Sequence, residues 1–180
     1  MPRMNARVSA VRKNVAKSSE PLAQPGCYSL IIDLKRQKRI CVGKLGAALF
    51  PKGIYVYTGS AMNGLAARLR RHCRRVKKTH WHIDYLLALP EARIKKIVVY
   101  PVAPRQECRQ SQRIAALPGA TVVVKRFGAT DCKFGCASHL THFPNGAGLR
   151  NSTKPDNNLM TVQNANSRIV IYLSAFCGTG

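Results

Sequence analysis

The core of this chain is written in short apolar runs separated by polar breaks. Cys27 to Leu34 is rich in Tyr, Leu and Ile with charge after it, which predicts a strand, and Lys35 to Lys38 follows as a polar turn. Arg39 to Val42 predicts a short second strand and Ala47 to Phe50 a third, ahead of the Pro51-Lys52-Gly53 turn. Ile54 to Thr58 is β-branched or aromatic at every position and predicts a fourth. The two-residue period of a strand sets Tyr55 and Tyr57 on one face and Ile54 and Val56 on the other. Ile94 to Val102 and Thr121 to Lys125 predict two more strands, the second closing the core.

After Gly59 the period changes. Between Gly64 and Lys78, Leu65, Leu69, Cys73 and Val76 recur at helical spacing. The other faces of that helix carry Arg68, Arg70, Arg71, Arg74, Arg75, Lys77 and Lys78, with no acid among them. Trp81 to Leu89 predicts a second helix, stopped by Pro90, and Gln106 to Leu117 a third, ended by Pro118 and Gly119. Phe127 to Phe143 is rich in Gly, Cys and His and irregular in pattern.

The pattern lapses at both ends. Residues 1–25 carry Arg3, Arg7, Arg12, Lys13 and Lys17 against Glu20 alone, without a steady period. They read as a flexible basic arm; an organelle transit peptide would set more hydrophobics on one face. From Pro144 the composition shifts to Asn, Ser, Thr and Gly, as in a linker. Inside that tail Arg168 to Phe176 holds an apolar patch that suits an added edge strand or an unstructured end equally. The expected organisation is an arm over 1–25, one domain over 26–143 and a tail over 144–180.

Composition narrows the function. Hydrophobic residues make up 46% of the chain, too many for a wholly disordered protein. No apolar run approaches the roughly 20 residues that span a bilayer, so no membrane partner is expected. Lys and Arg number 30 against 7 Asp and Glu, a formal net charge of +23. Charge on that scale repels itself, and nucleic acid is the polyanion that relieves it. The carboxylates (Glu20, Asp33, Asp84, Glu91, Glu107, Asp131 and Asp156) are scattered. A clustered two-metal site is therefore not expected; one ion, held by one or two carboxylates with phosphate and water, is compatible.

The 7 cysteines are odd in number and nothing resembles a secretory signal, so they read as reduced thiols of a cytoplasmic protein. Cys132, Cys136, His139 and His142 lie close together, but there is no CxxC pair and the spacing fits no strong ligand template. They read as buried cysteines and a structural histidine, and zinc at Cys132, Cys136 and His139 is not expected.

The order of the motifs carries more than any one of them. Gly26-Cys27-Tyr28 opens the first strand and Tyr57-Thr58-Gly59 closes a later one. Arg68 and His72 then sit four apart, on one face of a helix. There follow Arg71-His72, His80-Trp81-His82-Ile83-Asp84-Tyr85-Leu86, Glu107-Cys108, Phe127-Gly128-Ala129-Thr130-Asp131-Cys132 and Ser138-His139-Leu140. In this order the chain resembles the GIY-YIG nuclease superfamily, and within it the compact Uri-type endonucleases, long described as a domain of unknown function. The resemblance covers about Gly26 to Phe143. It departs at Cys27, where the first motif has Ile, and at Thr58, where the second has Ile or Val. Both of those side chains point away from the tyrosines. The literal Gly53-Ile54-Tyr55 lies on the strand of the second motif, so the first-motif tyrosine by position is Tyr28.

The resemblance implies an α/β (α+β) fold, a small, mainly antiparallel sheet flanked by helices. It implies metal-dependent endonuclease activity on DNA rather than RNA, with one Mg²⁺ or Mn²⁺. Tyr28 would act as general base or orient the attacking water, helped toward the phenolate by a nearby metal or arginine. Tyr57 would position water or contact phosphate. Arg68 would give fixed, bidentate donors to the transition state. His72 would donate to the leaving oxygen or hold a phosphate. Glu107, rather than Glu91, would hold the metal. Gly59 would allow phosphate a close approach or adopt φ > 0. Arg70, Arg71, Arg74, Arg75, Lys77 and Lys78 would track the nucleic-acid backbone. His80 and His82 read as structural, and Asp84 as the partner of a neighbouring arginine. The alternative is a non-catalytic nucleic-acid-binding module with the same fold, which would need only the charge. A ribosomal or RNA-processing accessory is a third reading, and no oligomeric state is implied.

Overall fold

The alternation in the two tyrosine strands becomes the middle of a sheet. In the computed structural model, which describes residues 20–101, 106–144 and 146 and the backbone of 162–163 and 168–172, β1 (Gly26–Leu34) is paired on both sides. Antiparallel β4 (Gly53–Ala61) lies on one side and antiparallel β5 (Ala92–Pro101) on the other, with a bulge in the β5 pairing between Ile31 and Ile32. The register sets Tyr28 opposite Gly59, Leu30 opposite Tyr57 and Ile32 opposite Tyr55. Because the strand period is two, these side chains share one face. A hairpin of β2 (Lys38–Cys41) and β3 (Ala47–Phe50) forms a separate small sheet between β1 and β4 in sequence.

The main sheet runs β6-β4-β1-β5-β8-β7, all antiparallel, with β6 at Leu140–Phe143, β7 at Val162–Gln163 and β8 at Arg168–Tyr172. Together with its helices this is a small, mainly antiparallel α+β fold. The apolar patch in the tail is thus an added strand on β5, from 168 to 172. Its remaining residues, like Cys177 and residues 1–19, lie outside the described part of the chain.

Among the described residues four α-helices accompany the sheet: α1 (Glu20–Ala23), α2 (Leu65–Cys73), α3 (His82–Leu87) and α4 (Glu107–Ala115). Leu65 and Leu69 of α2 and Ile83, Leu86 and Leu87 of α3 bury against Tyr28, Leu30 and Ile32. Each such burial contributes roughly 1.5–3 kcal/mol. Among the described residues no helix is long and apolar enough to cross a membrane.

Three expectations are corrected. The packed chain starts before Gly26: Leu22, inside the expected arm, is a core residue, and Leu65 N–H donates to the Gln24 carbonyl at 3.1 Å. The basic helix stops at Cys73, not Lys78. There the Lys77 ammonium donates to the carbonyls of His72 (3.0 Å) and Arg74 (2.9 Å), satisfying helix-end acceptors from outside the helix, and Val76 is left 95% exposed. Thr121 to Lys125 forms no strand. Thr121 bridges to His142, and the chain then turns, with φ of 61° at Arg126 and 70° at Gly128. Its apolar residues are used singly, Val124 and Phe127 entering the core while Val122 stays exposed.

Candidate functional site

β6 pairs with β4 only from Ile54 to Tyr57, so the far end of β4 is uncovered by that strand. Beside it the chain returns through 127–139, held by Thr58 N–H to the His139 carbonyl (3.0 Å) and His139 N–H to the Phe127 carbonyl (2.8 Å). The start of α4 arrives at the same place. Together they enclose an open cleft of about 730 Å³ whose walls include Tyr28, Tyr57, Arg68 and Glu107. Four residues separated by up to 79 positions in sequence are therefore brought together.

Tyr28 is 1% exposed and its hydroxyl lies 2.7 Å from His72 Nε2. Gly59 is what makes room for it. A Cβ built on Gly59 would stand 2.5 Å from the Tyr28 hydroxyl oxygen and 2.7 Å from Cζ. Gly59 is thus a buried mid-strand residue with no positive φ, and its expected role as a phosphate-approach point or a turn gives way to this steric one. Tyr57 is buried beside it, edge-on to His72 and to Phe127. Burial pushes both phenols above their usual pKa. Arg68 pulls each of them down, but by less than burial raises it. The expected drift of Tyr28 toward the phenolate is therefore not a property of the free protein.

His72 does not line this cleft; it lies behind Tyr28, 3% exposed, on a different cavity. Burial first, then Lys77, lowers its pKa to about 3, with Arg68 and Arg71 adding to the effect and Asp84 opposing it. A neutral imidazole in that position accepts from or donates to Tyr28. It cannot reach a leaving group in the cleft, so that part of its expected role is withdrawn. Tyr55 does not line the cleft, and its hydroxyl donates to the Pro51 carbonyl at 2.6 Å.

The basic residues after Gly64 divide by structure. Arg68 lies on the cleft with its guanidinium carbon 4.0 Å from the Trp81 ring centre. Arg71 is also stacked on Trp81, at 4.2 Å, and grips the buried Asp84 carboxylate with two hydrogen bonds of 2.8 and 2.9 Å. Asp84 Oδ2 accepts further from the N–H groups of His80 and Trp81. Burial alone would raise the Asp84 pKa; Arg71 and these amides outweigh it and bring it to about 2. Lys77 is consumed by helix-end carbonyls and by Asp84 at 3.8 Å. Arg71 and Lys77 are therefore structural and leave the expected backbone-tracking set. Arg70, Arg74, Arg75 and Lys78 are exposed and remain in it.

Glu107 opens α4, where a carboxylate is favoured by the helix dipole. Ser60 Oγ donates to its Oε2 at 2.6 Å, and His139 Nδ1 lies 2.8 Å from its Oε1. Each oxygen keeps a lone pair, so the group can still serve a hard cation as a single carboxylate. Glu91, the rival by charge, is instead paired with Lys38 on the far hairpin. His82 lines the cleft and accepts the Gly128 N–H on Nδ1 at 2.9 Å, which directs an Nε2–H outward.

Sequence reasoning passed over Ser60 and Cys108. Ser60 directly follows the Tyr57-Thr58-Gly59 motif, and Cys108 directly follows Glu107. Cys108, Cys132, Cys136 and His139 have ligand atoms all within 4.8 Å of one another. Burial pushes the His139 pKa down, but the hydrogen bond and charge of Glu107 outweigh it, and the net shift is upward.

A family model described as Domain of unknown function DUF123 matches residues 27–160. No curated protein and no solved structure matches this chain.

Proposed function

The chain belongs to the family described as Domain of unknown function DUF123, a description that assigns no activity, and from its site we propose a metal-dependent endonuclease of GIY-YIG type that hydrolyses phosphodiester bonds in DNA. The observation that carries this reading is the convergence of Tyr28, Tyr57, Arg68 and Glu107 on one open cleft of a chain with net charge +23. The ordered motifs that resemble the Uri-type endonucleases supply those same four residues.

A phosphodiester seated in the cleft meets the Arg68 guanidinium, whose fixed donors match the charge that develops on phosphorus oxygens in the transition state. Trp81 holds that guanidinium in place by stacking. Tyr28 takes the proton of the attacking water as it passes its own to His72 Nε2 along their 2.7 Å hydrogen bond. The pair starts neutral, as burial requires, and no free phenolate is needed. Tyr57 borders the water's position. Glu107 would hold one Mg²⁺ or Mn²⁺, which when bound supplies Lewis-acid stabilisation of the phosphate. Arg70, Arg74, Arg75 and Lys78 supply contacts to the nucleic-acid backbone and no sequence readout.

The test is incubation of the full chain with labelled flap, branched, single-stranded and duplex DNA, in Mg²⁺, Mn²⁺ or EDTA, beside Arg68→Ala and Glu107→Ala. Metal-dependent nicking lost in both variants is the expected result. A non-catalytic binding module is the second reading, favoured by the exposed cations at and beyond the end of α2, which can bind without any chemistry. It predicts retention of every substrate, cleavage of none, and for Arg68→Ala the loss of only one phosphate contact.

A further inference from the structure

The 127–139 segment has little regular structure, yet it builds one wall of the cleft. Something must fix its path. Arg126 N–H bonds to the Ala137 carbonyl at 2.7 Å, and His139 N–H to the Phe127 carbonyl at 2.8 Å, which close the loop at its neck. Near its tip, three cysteines and a histidine converge. Cys132 and Cys136 come from the loop, His139 from its end, and Cys108 from the first turn of α4.

We propose that Cys108, Cys132, Cys136 and His139 form a closed structural zinc site, in which Glu107 is the outer carboxylate that orients His139. Zinc takes four ligands in a tetrahedron, with Zn–S about 2.3 Å and Zn–N about 2.0–2.1 Å. Those lengths put neighbouring sulfurs about 3.8 Å apart, and sulfur and nitrogen about 3.5 Å apart. Cys108 Sγ lies 3.5 Å from Cys132 Sγ and 3.7 Å from His139 Nε2, and no pair in the set exceeds 4.8 Å. The distances from Cys108 Sγ to Cys132 and His139 match tetrahedral edge lengths, and no pair needs to close by much more than about 1 Å.

Two further features suit a metal better than they suit four unrelated side chains. His139 turns Nδ1 to Glu107 Oε1 at 2.8 Å, which leaves Nε2 facing the sulfurs. Zinc-ligating histidines characteristically donate their other ring N–H to a carboxylate in this way, which fixes the tautomer. Within Cys132-Lys133-Phe134-Gly135-Cys136, the Phe134 N–H points at Cys132 Sγ at 3.4 Å, and Gly135 takes φ of 69° to bring Cys136 round. A backbone N–H aimed at sulfur stabilises a thiolate. The spacing of Cys132 and Cys136 alone fits no template because one ligand lies 24 residues upstream, on a helix.

The site would tie α4 to the loop and would set the position of Glu107. It stands on these ligand atoms alone and is independent of the phosphodiesterase reading. The test uses the full chain, purified under reducing conditions, with zinc measured by mass spectrometry of the element. Cobalt is then exchanged for zinc and the absorption spectrum recorded. One equivalent of zinc is expected, and cobalt is expected to give sulfur charge-transfer and tetrahedral d–d bands. Cys136→Ser should lose most of the bound metal, whereas Cys41→Ser, at an exposed cysteine outside the cluster, should keep it. Glu107→Gln should still bind, about 10- to 100-fold more weakly. Wild-type chain that carries no zinc and gives no cobalt bands overturns the proposal, whatever the variants do. A Cys108–Cys132 disulfide retained in the wild-type chain under reducing purification overturns it as well.

Discussion

Gly59→Ala tests how tightly the cleft is built around Tyr28. The added Cβ would stand 2.5 Å from the hydroxyl oxygen and 2.7 Å from Cζ, against an ordinary contact of 3.4 Å or more. The ring must retreat by roughly 0.7–0.9 Å, and the steep repulsion at such distances leaves no cheaper response. Tyr28 has nowhere to go, being 1% exposed and backed by His72. Overpacking of this kind costs about 1–3 kcal/mol, and a stretched Tyr28–His72 hydrogen bond about 1 kcal/mol more. Replacing a strand glycine by alanine returns about 0.5–1 kcal/mol of backbone entropy. The expected net loss is about 2 kcal/mol, read as a fall in the urea midpoint at constant m. Tyr28→Leu removes the two atoms that clash. In that background Gly59→Ala should be neutral or mildly stabilising, a coupling of about 2–3 kcal/mol between the two sites. On the proposed reaction, cleavage by Gly59→Ala should fall by about 10²-fold, because a reacting group is displaced by nearly 1 Å. DNA affinity should stay unchanged. Equal destabilisation by Gly59→Ala in both backgrounds would refute the steric argument.

Further substitutions separate roles among the basic residues, the tyrosines and His72. Arg71→Ala leaves the buried Asp84 carboxylate without its main partner and should destabilise by about 3 kcal/mol in denaturant titration. Arg70→Ala should leave stability within about 0.5 kcal/mol and lower the salt slope of DNA binding by about 0.9. Tyr55→Phe gives up its bond to the Pro51 carbonyl, at a cost of about 1 kcal/mol, and should keep cleavage, whereas Tyr28→Phe should abolish it. His72 carries a folded-state pKa depressed to about 3, below the unfolded value of 6.5. Its share of stability is therefore fully present above pH 6.5 and is lost as pH falls toward 3, because only the unfolded chain takes up the proton. Between those limits the wild type should lose about 1.4 kcal/mol per pH unit more than His72→Gln; parallel pH curves for the two would sink the assignment of a neutral buried His72.

Strands β1 to β5 were legible in the sequence, and Tyr28 and Tyr57 could be placed on them directly, whereas β6 lies in a stretch that reads as irregular and Thr121 to Lys125 reads as a strand and is not one. The helices were legible at their starts but not always at their ends. Val76 continues the helical spacing, but the helix stops at Cys73, because Lys77 caps its carbonyls from outside. No local pattern encodes that. Charge runs were the least informative feature. Arg68, Arg70, Arg71 and Lys77 look alike in composition; the motif order sets Arg68 apart, and packing divides the others into one exposed cation and two bound to buried groups. Glu107 was singled out in the sequence, but not its partners. Ser60 and His139 reach it from 47 and 32 residues away, and Cys108 joins its cluster across the fold, so spacing along the chain could not gather them.

Burial decides which groups of the cleft can move a proton. It holds Tyr28 and Tyr57 above the usual phenol range and His72 well below the usual imidazole range. Arg68 favours ionisation of both tyrosines, but it also opposes a charge on His72. In the free protein these influences leave Tyr28 and His72 both neutral, joined by one hydrogen bond, while His72 Nδ1 is buried without a hydrogen-bond partner. A phosphate bound as the proposed reaction requires would change the balance at two points. Its negative charge offsets Arg68, Arg71 and Lys77 around His72, so an imidazolium there becomes less costly. On the proposed reaction, the proton relayed from water through Tyr28 would leave a cation on His72 while negative charge builds on the phosphate. Those two charges attract across the cleft wall, so the relay is favoured most in the transition state, which is where an interaction accelerates a reaction rather than merely tightening binding. The same electrostatics keep the empty site free of a reactive phenolate. On the proposed reaction Arg68 serves in two ways that a single substitution removes together, its donors to the phosphate and its pull on Tyr28. Arg68→Lys separates them, since a lysine keeps the charge but loses the planar fork. Cleavage that survives in Arg68→Lys and fails in Arg68→Ala would assign the larger share to charge; failure in both would assign it to the fork.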